Sequence, residues 1–484
     1  MLLETICNSA VYEKNAYYLL GVPVGLSGRK LKRKLQDLQD VGAMGGNEWE
    51  REFDKYLLGS CKVPDSSDVN DLVERIKDPE FAITEAFFWF WPVSELDDPA
   101  LVAISAGERD AAYREWRTLA VKSTKESVIA KHNLAVLFHY YAIDAEAQRL
   151  SELKGTSAKS FLNVLDQYWR TAFKYWEELV DDDTFWDAFL DRVKAIDDPR
   201  LDEKFVAEFR REFPIAFDNI NGDFLAEYAR KGKLEDAKRH FTYMTETMSD
   251  SDDVDESLNV AFKQQIDKIR LLIKRCADKD KPEEGMKDIR ALLDTSNPLF
   301  NVFRYLLPPT NRVRRDLMND VAKACHDRLP SYANKTDDFD GALTIERDLY
   351  SLAESPSLKN NIQKSITQLE GIIQSRRDAD TCWYCKTYRK GTPRKVVKMY
   401  GELAPDLSQF GRVSYSTRQV QVPVCARCSS KFSTHTVRDY SAVKTAIAAG
   451  WRIGEGPSDS EINAVWADIA KALNLLGGGR RRGF

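Results

Sequence analysis

The sequence predicts a mainly α chain: a helical N-terminal module, stacked helical hairpins, and one small module built on a β-hairpin near the C-terminus. Three observations carry this prediction. Apolar residues recur at three- and four-residue intervals along most of the 484 positions, the pattern of helices that each bury one face. β-Branched and aromatic residues alternate in a way that suits strands only between Lys395 and Val424. Cys382 and Cys385 are matched across 39 residues by Cys425 and Cys428, and two such knuckles are the spacing of four thiolates closing on one ion.

Composition bounds the rest. An apolar fraction of 43% sustains large cores, and the chain has room for several domains. The 10 Trp, 19 Tyr and 23 Phe fall mostly at helical spacing, where packing is their ordinary role. A net charge of -5 argues against a surface coated with positive charge for nucleic acid or anionic lipid, and leaves room for a local basic patch. Four of the eight cysteines sit in the knuckles; Cys7, Cys61, Cys276 and Cys325 stand singly, which points to a reducing compartment rather than a disulfide framework. The opening Met-Leu-Leu-Glu-Thr-Ile-Cys has neither the basic region nor the long apolar stretch of a secretory signal. The run Phe87-Phe88-Trp89-Phe90-Trp91 ends at Pro92, well short of the roughly 20 apolar residues of a membrane helix. The expectation is a soluble, cytoplasmic protein with no membrane contact.

Residues 1–95 read as three helices. Asn15 to Pro23 holds a short one. Ser27 caps a second, in which Leu31, Leu35 and Leu38 share a face among Arg29, Lys30, Lys32, Arg33 and Lys34. After a glycine-rich break at 42–46 and a loop near Pro64 to Ser67, a third runs from about Val69 through the aromatic run. Tyr17-Tyr18-Leu19-Leu20-Gly21-Val22 resembles the first-helix signature of a J-domain, and Asp78-Pro79-Glu80 the end of that family's third helix. The resemblance implies docking to a seventy-kilodalton heat-shock chaperone. The His-Pro-Asp tripeptide through which J-domains stimulate its ATPase is replaced here by about Ala43-Met44-Gly45, so the resemblance is to a degenerate module without that activity.

Residues 96–245 form a first helical block. Phe161, Leu165, Tyr168, Ala172, Trp176 and Leu179 mark one amphipathic helix; Phe185, Trp186, Phe189, Val193 and Ile196 mark the next, closed by Asp197-Asp198-Pro199-Arg200. Residues 246–257, with Ser249 to Glu256 almost wholly polar and acidic, read as a solvated linker. Residues 258–376 form a second block, interrupted at Asp278 to Pro282. Leu225-Ala226-Glu227-Tyr228 with Gly232 to Ala237, Asp338 to Ala342 with Leu352-Ala353, and the stretch from His132 to Tyr141 resemble tetratricopeptide helical hairpins, with Gly232 and Ala237 expected to let helices approach closely. That resemblance implies a protein-binding scaffold. His132 and His139 share a helical face without further ligand residues at suitable spacing, and buried helix positions are their expected place. With no Walker loop, no His-Glu-x-x-His and no Gly-x-Ser-x-Gly, no catalytic residue and no small-molecule substrate is expected.

Residues 377–440 are the metal module. Strands are expected at Lys395 to Tyr400 and Arg412 to Thr417, joined through Gly401, Pro405 and Gly411, as in a zinc ribbon. Val413, Tyr415 and Thr417 keep one parity and Val420, Val422 and Val424 the other, which predicts a bulge near Arg418-Gln419. Cys382, Cys385, Cys425 and Cys428 would hold one structural Zn2+ in a closed shell. Ten basic residues against Glu402 and Asp406 lie between Cys382 and Phe432, interleaved with Trp383, Tyr384, Tyr388, Tyr400 and Tyr415. Arg389, Lys390, Arg394, Lys395, Lys398, Tyr400, Arg412 and Arg418 are therefore candidate contacts for nucleic acid or for a protein partner.

Residues 441–484 close the chain with a helix ending at Gly450, then a second helix with Ser458 and Glu461 as capping box and Ile462, Val465, Trp466, Ile469 and Leu473 on one face. Arg480, Arg481 and Arg482 extend the candidate contact set. The functional expectation is a non-catalytic zinc-binding adaptor or co-chaperone-like protein that binds a partner through its helical body; the alternative is a nucleic-acid-binding factor using the basic ribbon and tail.

Overall fold

A computed structural model of the chain describes residues 2–25, 28–43, 66–93, 98–122, 124–152, 156, 158–246, 250–278, 281–388, 391–405, 413–433 and 436–477. The architecture is mainly α, with twenty α-helices among the described residues, a three-stranded antiparallel sheet and a separate two-stranded pair. Two compact units are present: Met1–Asp280 with Met286–Cys325 and Ala353–Ser355, and Lys281–Gly285 with His326–Leu352 and Pro356–Phe484. No described helix is long and apolar enough to cross a membrane.

The first unit is built on the aromatic run. Asp78 caps helix Pro79–Phe87, its carboxylate accepting from the Glu80 and Phe81 N–H groups. Pro79 has no N–H to give to a preceding turn, so the single helix expected from Val69 is instead two, Ser66–Lys77 and Pro79–Phe87. Phe87 to Trp91 are then 1% exposed or less. Phe87 touches the rings of Phe209 (4.8 Å), Phe189 (5.1 Å), Phe213 (5.2 Å) and Trp176 (5.5 Å between centroids). Beyond Phe87 the backbone leaves the helix while still buried, and helix Lys125–Leu150 supplies hydrogen bonds to Phe87 and Trp91. Asn133 accepts from Trp91 N and donates to Trp91 O, both at 2.8 Å, and His132 Nε2 lies 2.7 Å from Phe87 O. His132 and His139 are both fully buried, as expected, and burial pushes their pKa values down to about 3.

A second buried polar cluster crosses this unit. Glu146 is wholly buried and accepts from Trp169 Nε1 (3.0 Å), Tyr228 (2.5 Å) and Arg239 (2.8 and 2.9 Å), with His240 Nε2 3.1 Å away. Burial opposes its ionisation, yet His240, Arg239 and Tyr228 together hold its pKa down to about 2. Arg149 makes a paired contact with Asp236 at 2.7 and 2.8 Å beside it.

The stretch expected as an acidic linker departs from that expectation from Ser251 onward, where it forms helix Ser251–Ala261; Ser249 lies outside the described residues. Asp250 accepts from Asp252 N and Asp253 N while Asp253 returns a bond to Asp250 N, a capping box whose negative charge also suits a helix N-terminus. Val254 and Leu258, four residues apart, are buried. Gly222 of helix Glu203–Arg230 gives this helix its seat, since a Cβ there would stand 3.3 Å from Ala261 Cβ and 3.4 Å from Ser257 O. Gly232 plays a different part from the one expected: it lies in the turn after Arg230 with φ +71 and open space around it, so it supplies a left-handed turn rather than a close approach.

In the second unit helices Phe339–Leu352 and Pro356–Asp380 form a hairpin, and the strands follow. The sheet runs β4 (Thr417–Pro423), β1 (Arg394–Tyr400), β5 (Arg452–Ile453), while β2 (Ala404–Pro405) pairs with β3 (Val413–Ser414). β1 and β4 pair without interruption from Arg394↔Pro423 to Tyr400↔Thr417. No bulge interrupts Arg418 and Gln419, which face Met399 and Lys398. The parity change seen in the sequence arises between β3 and β4, at Tyr415 and Ser416, where the chain passes from one ladder to the other.

Candidate metal centre

The sheet's inner face is Val397 and Met399 of β1 with Val420 and Val422 of β4, each 6% exposed or less. It packs on Val424, Val437, Val443 and Ala446 and on Cys382, Cys425 and Cys428, with Trp383, Phe432, Tyr440 and Trp451 partly covering them. The strands deliver both knuckles. Trp383 N donates to Pro423 O (2.9 Å), and Val424 N to Pro393 O (2.8 Å), so the end of β4 is tied to the first knuckle just before Cys425. Within the first knuckle Lys386 N donates to Cys382 O (2.9 Å) and Cys382 N to Thr387 O (3.0 Å); within the second, Cys428 N donates to Cys425 O (3.0 Å).

The four sulfurs all lie within 4.8 Å of one another. Cys385 Sγ and Cys425 Sγ are 3.8 Å apart, which is about the edge of a tetrahedron whose metal–sulfur bonds are about 2.3 Å. Cys425 N donates to Cys382 Sγ at 3.3 Å, a contact that favours the thiolate. The Thr387 hydroxyl and N–H beside Cys385 draw its pKa down to about 6. Burial and the neighbouring sulfurs of Cys425, Cys385 and Cys382 push Cys428 up to about 12. Four thiols packed this closely resist joint ionisation until a cation shares the charge. The donor set, the spacing and the backbone contacts thus fit a metal ion held by four protein thiolates.

The basic residues do not all gather on one free surface. Arg394 and Lys398 are on the outer sheet face beside Gln421 and Gln419; Arg394 donates to Gln421 at 3.3 Å, and Lys398 pairs with Glu455 at 3.0 Å. Lys395 and Arg418 sit at the two ends of the inner face, Arg418 5.8 Å from the centre of the Trp451 ring. Tyr400, a candidate contact from sequence, is 5% exposed, and its hydroxyl donates to both oxygens of Glu461 at 3.0 Å. Its ring is therefore spent on holding helix Asp459–Gly477, not offered outward. Arg389, Lys390, Arg412 and Arg480 to Arg482 lie outside the described residues.

Sequence reasoning missed β5 and the role of Glu461. Arg452 donates to Glu461 at 2.8 Å and Ser458 N at 2.8 Å. These contacts, Ser458 first, with Tyr400 and Arg452, hold Glu461 down to about 2. The capping box was the available signal, but a two-residue strand beside it leaves no periodicity to read. No family model, curated protein or solved structure matches the chain. What stands is a mainly helical chain whose four converging cysteines can hold a metal ion.

Proposed function

We propose that the chain is a non-catalytic zinc-binding adaptor, co-chaperone-like in plan, that holds a protein partner on its helical body. The observation that carries this reading is the thiolate cluster itself. Four protein sulfurs fill a tetrahedral shell, which leaves no position for a water or substrate, and zinc is the ion such a set most commonly takes. Zinc would then fix the hairpin and do no chemistry. The buried thiols of Cys7, Cys276 and Cys325 suit a reducing, cytoplasmic setting. Helical hairpins such as Glu203–Arg230 with Leu234–Glu246 are the kind of surface that tetratricopeptide-like scaffolds present to partners. The J-like pattern of residues 17–80, lacking its tripeptide, fits docking without ATPase stimulation.

Two measurements test the reading. Elemental analysis of the purified chain should find about one zinc per molecule. The chain used as bait should recover a defined protein that rebinds when both are purified; recovery of none removes the adaptor. A second reading, nucleic-acid binding by the ribbon, draws on Arg394, Lys395, Arg427 and Lys431, which are exposed and make no ion pair among the described residues. A salt-dependent gel shift that survives Arg394→Glu, Lys395→Glu and Lys398→Glu together would rule the ribbon out as the contact.

A further inference from the structure

The helix that replaces the expected acidic linker forms one wall of a groove. Helices Ser251–Ala261, Lys263–Ala277 and the first part of Arg312–Thr336 border a cavity of about 710 Å3 in the first unit. Its floor is apolar: Ile266, Val313 and Leu317 are buried beneath it, and Val260 stands 45% exposed at its edge. Its rims carry six carboxylates against three cations. Asp252, Asp255 and Glu256 recur at helical spacing on one wall, and Asp316 and Asp320 on the opposite one. Each row of carboxylates runs about one turn, roughly 6 Å.

The cations do not neutralise the rows. Arg270 stands 3.8 Å from Asp267 and Arg312 3.5 Å from Asp316, while Glu256 and Asp320 make no ion pair among the described residues. Burial, with Asp252 and Asp316 nearby, raises the pKa of Asp255, and burial with Asp316 raises that of Asp320. Carboxylates crowded along two walls over an apolar floor are the complement of a helix with lysines or arginines flanking an apolar stripe. Their spread along the groove, rather than convergence on a point, is unsuited to a metal ion.

We propose that this groove is the docking site for a basic amphipathic helix of a partner protein, its apolar stripe on Val260 above the floor formed by Ile266, Val313 and Leu317, and its cations on the two acidic rims. The proposal rests on the adaptor reading and names where, and by what chemistry, the partner is held.

The test uses the full chain and a fluorescent lysine–leucine amphipathic peptide of about four turns, followed by anisotropy. The peptide should bind, more weakly as salt rises. Glu256→Lys with Asp320→Lys, both exposed positions, should weaken it by about tenfold or more. Asp181→Lys with Asp187→Lys, exposed acids elsewhere that change net charge equally, should leave binding unaltered. Equal loss in both double variants, or no loss in the first, overturns the groove, as does equal binding of a glutamate–leucine peptide. Thermal melts of the variants confirm that each remains folded. If a partner recovered from cells still binds the Glu256→Lys, Asp320→Lys protein, the groove falls and the adaptor stands; if no partner exists while the peptide binds as described, the adaptor reading falls alone.

Discussion

The helical body and the cysteine module both bury hydrophobic residues, but with very different means. The first unit closes around five consecutive aromatic residues and draws Phe, Trp and His from several helices onto Phe87 alone. The ribbon has eleven buried residues in its cluster, three of them cysteines and none of them Phe or Trp. A core that small rarely holds a fold by itself. The difference teaches where a metal would matter: the body has a large aromatic core, and the ribbon has a small one beside four cysteines that can hold an ion.

If the four cysteines hold zinc as proposed, removing it breaks that contrast at its strongest point. A structural zinc contributes on the order of 10 kcal/mol in small thiolate domains. Chelation, or Cys425→Ser, is therefore expected to unfold residues 382–453 while the far-ultraviolet dichroism and melting of the helical body stay close to those of the parent. Amide exchange by mass spectrometry reads both regions at once. Protection that persists in β1 and β4 after the metal is gone would mean that the eleven-residue core suffices.

The reverse experiment attacks the body. Phe87→Ala leaves a cavity among Trp176, Phe189, Phe209 and Phe213 and is expected to cost about 3–5 kcal/mol in urea unfolding. Zinc content should not change. Loss of zinc on the same substitution would show that the two regions do not fold independently.

How much of this was legible follows from the same contrast. The helices of the body announce themselves by period: Phe161 to Leu179 fall in Lys159–Val180 and Phe185 to Val193 in Asp183–Ala195, with Ile196 as its C-cap, since each turn repeats the apolar signal. The four cysteines were legible because thiolate chemistry is specific at short spacing. The acidic stretch misled because its charges hid Val254 and Leu258, a two-residue stripe too sparse to outweigh the carboxyl and hydroxyl side chains around it. The bulge was a wrong inference from a right parity change, because the sequence does not tell a kink in one strand from a passage between two ladders. Tyr400 was read as a surface ring, and only the distant Glu461 explains why it is inside.

Acid separates the regions in a third way. His132 and His139 have folded pKa values pushed down to about 3, against about 6.5 unfolded. Between those values the unfolded chain binds more protons, so the body's stability rises with pH and is lost as pH falls from about 6.5 toward 3. Each histidine adds a slope of about 1.4 kcal/mol per pH unit within that window. Glu146, held at about 2, adds a further loss below its unfolded value of about 4.3 as pH falls toward 2. Urea midpoints of the chelated chain, which report the body alone, should therefore fall steadily with acidification. A flat profile across the histidine window would show that these imidazoles are protonated in the fold.

The smallest expected effect lies in the ribbon and asks how far local geometry matters to the proposed zinc site. Lys386 closes the first knuckle with φ 54, a left-handed conformation that costs a non-glycine residue about 1 kcal/mol. Its ammonium also lies 3.6 Å from the centre of the Trp383 ring, a contact that contributes about 0.5–1 kcal/mol. The two terms nearly cancel, so Lys386→Gly should leave zinc affinity almost unchanged. Lys386→Ala keeps the strained backbone and loses the ring, and should weaken zinc binding about fivefold, which corresponds to about 1 kcal/mol. Competition with a chromophoric chelator measures both. Equal affinities for the Gly and Ala proteins would show that the turn's handedness costs nothing there; a marked gain for Gly would mean that the Trp383 contact is too weak to offset it.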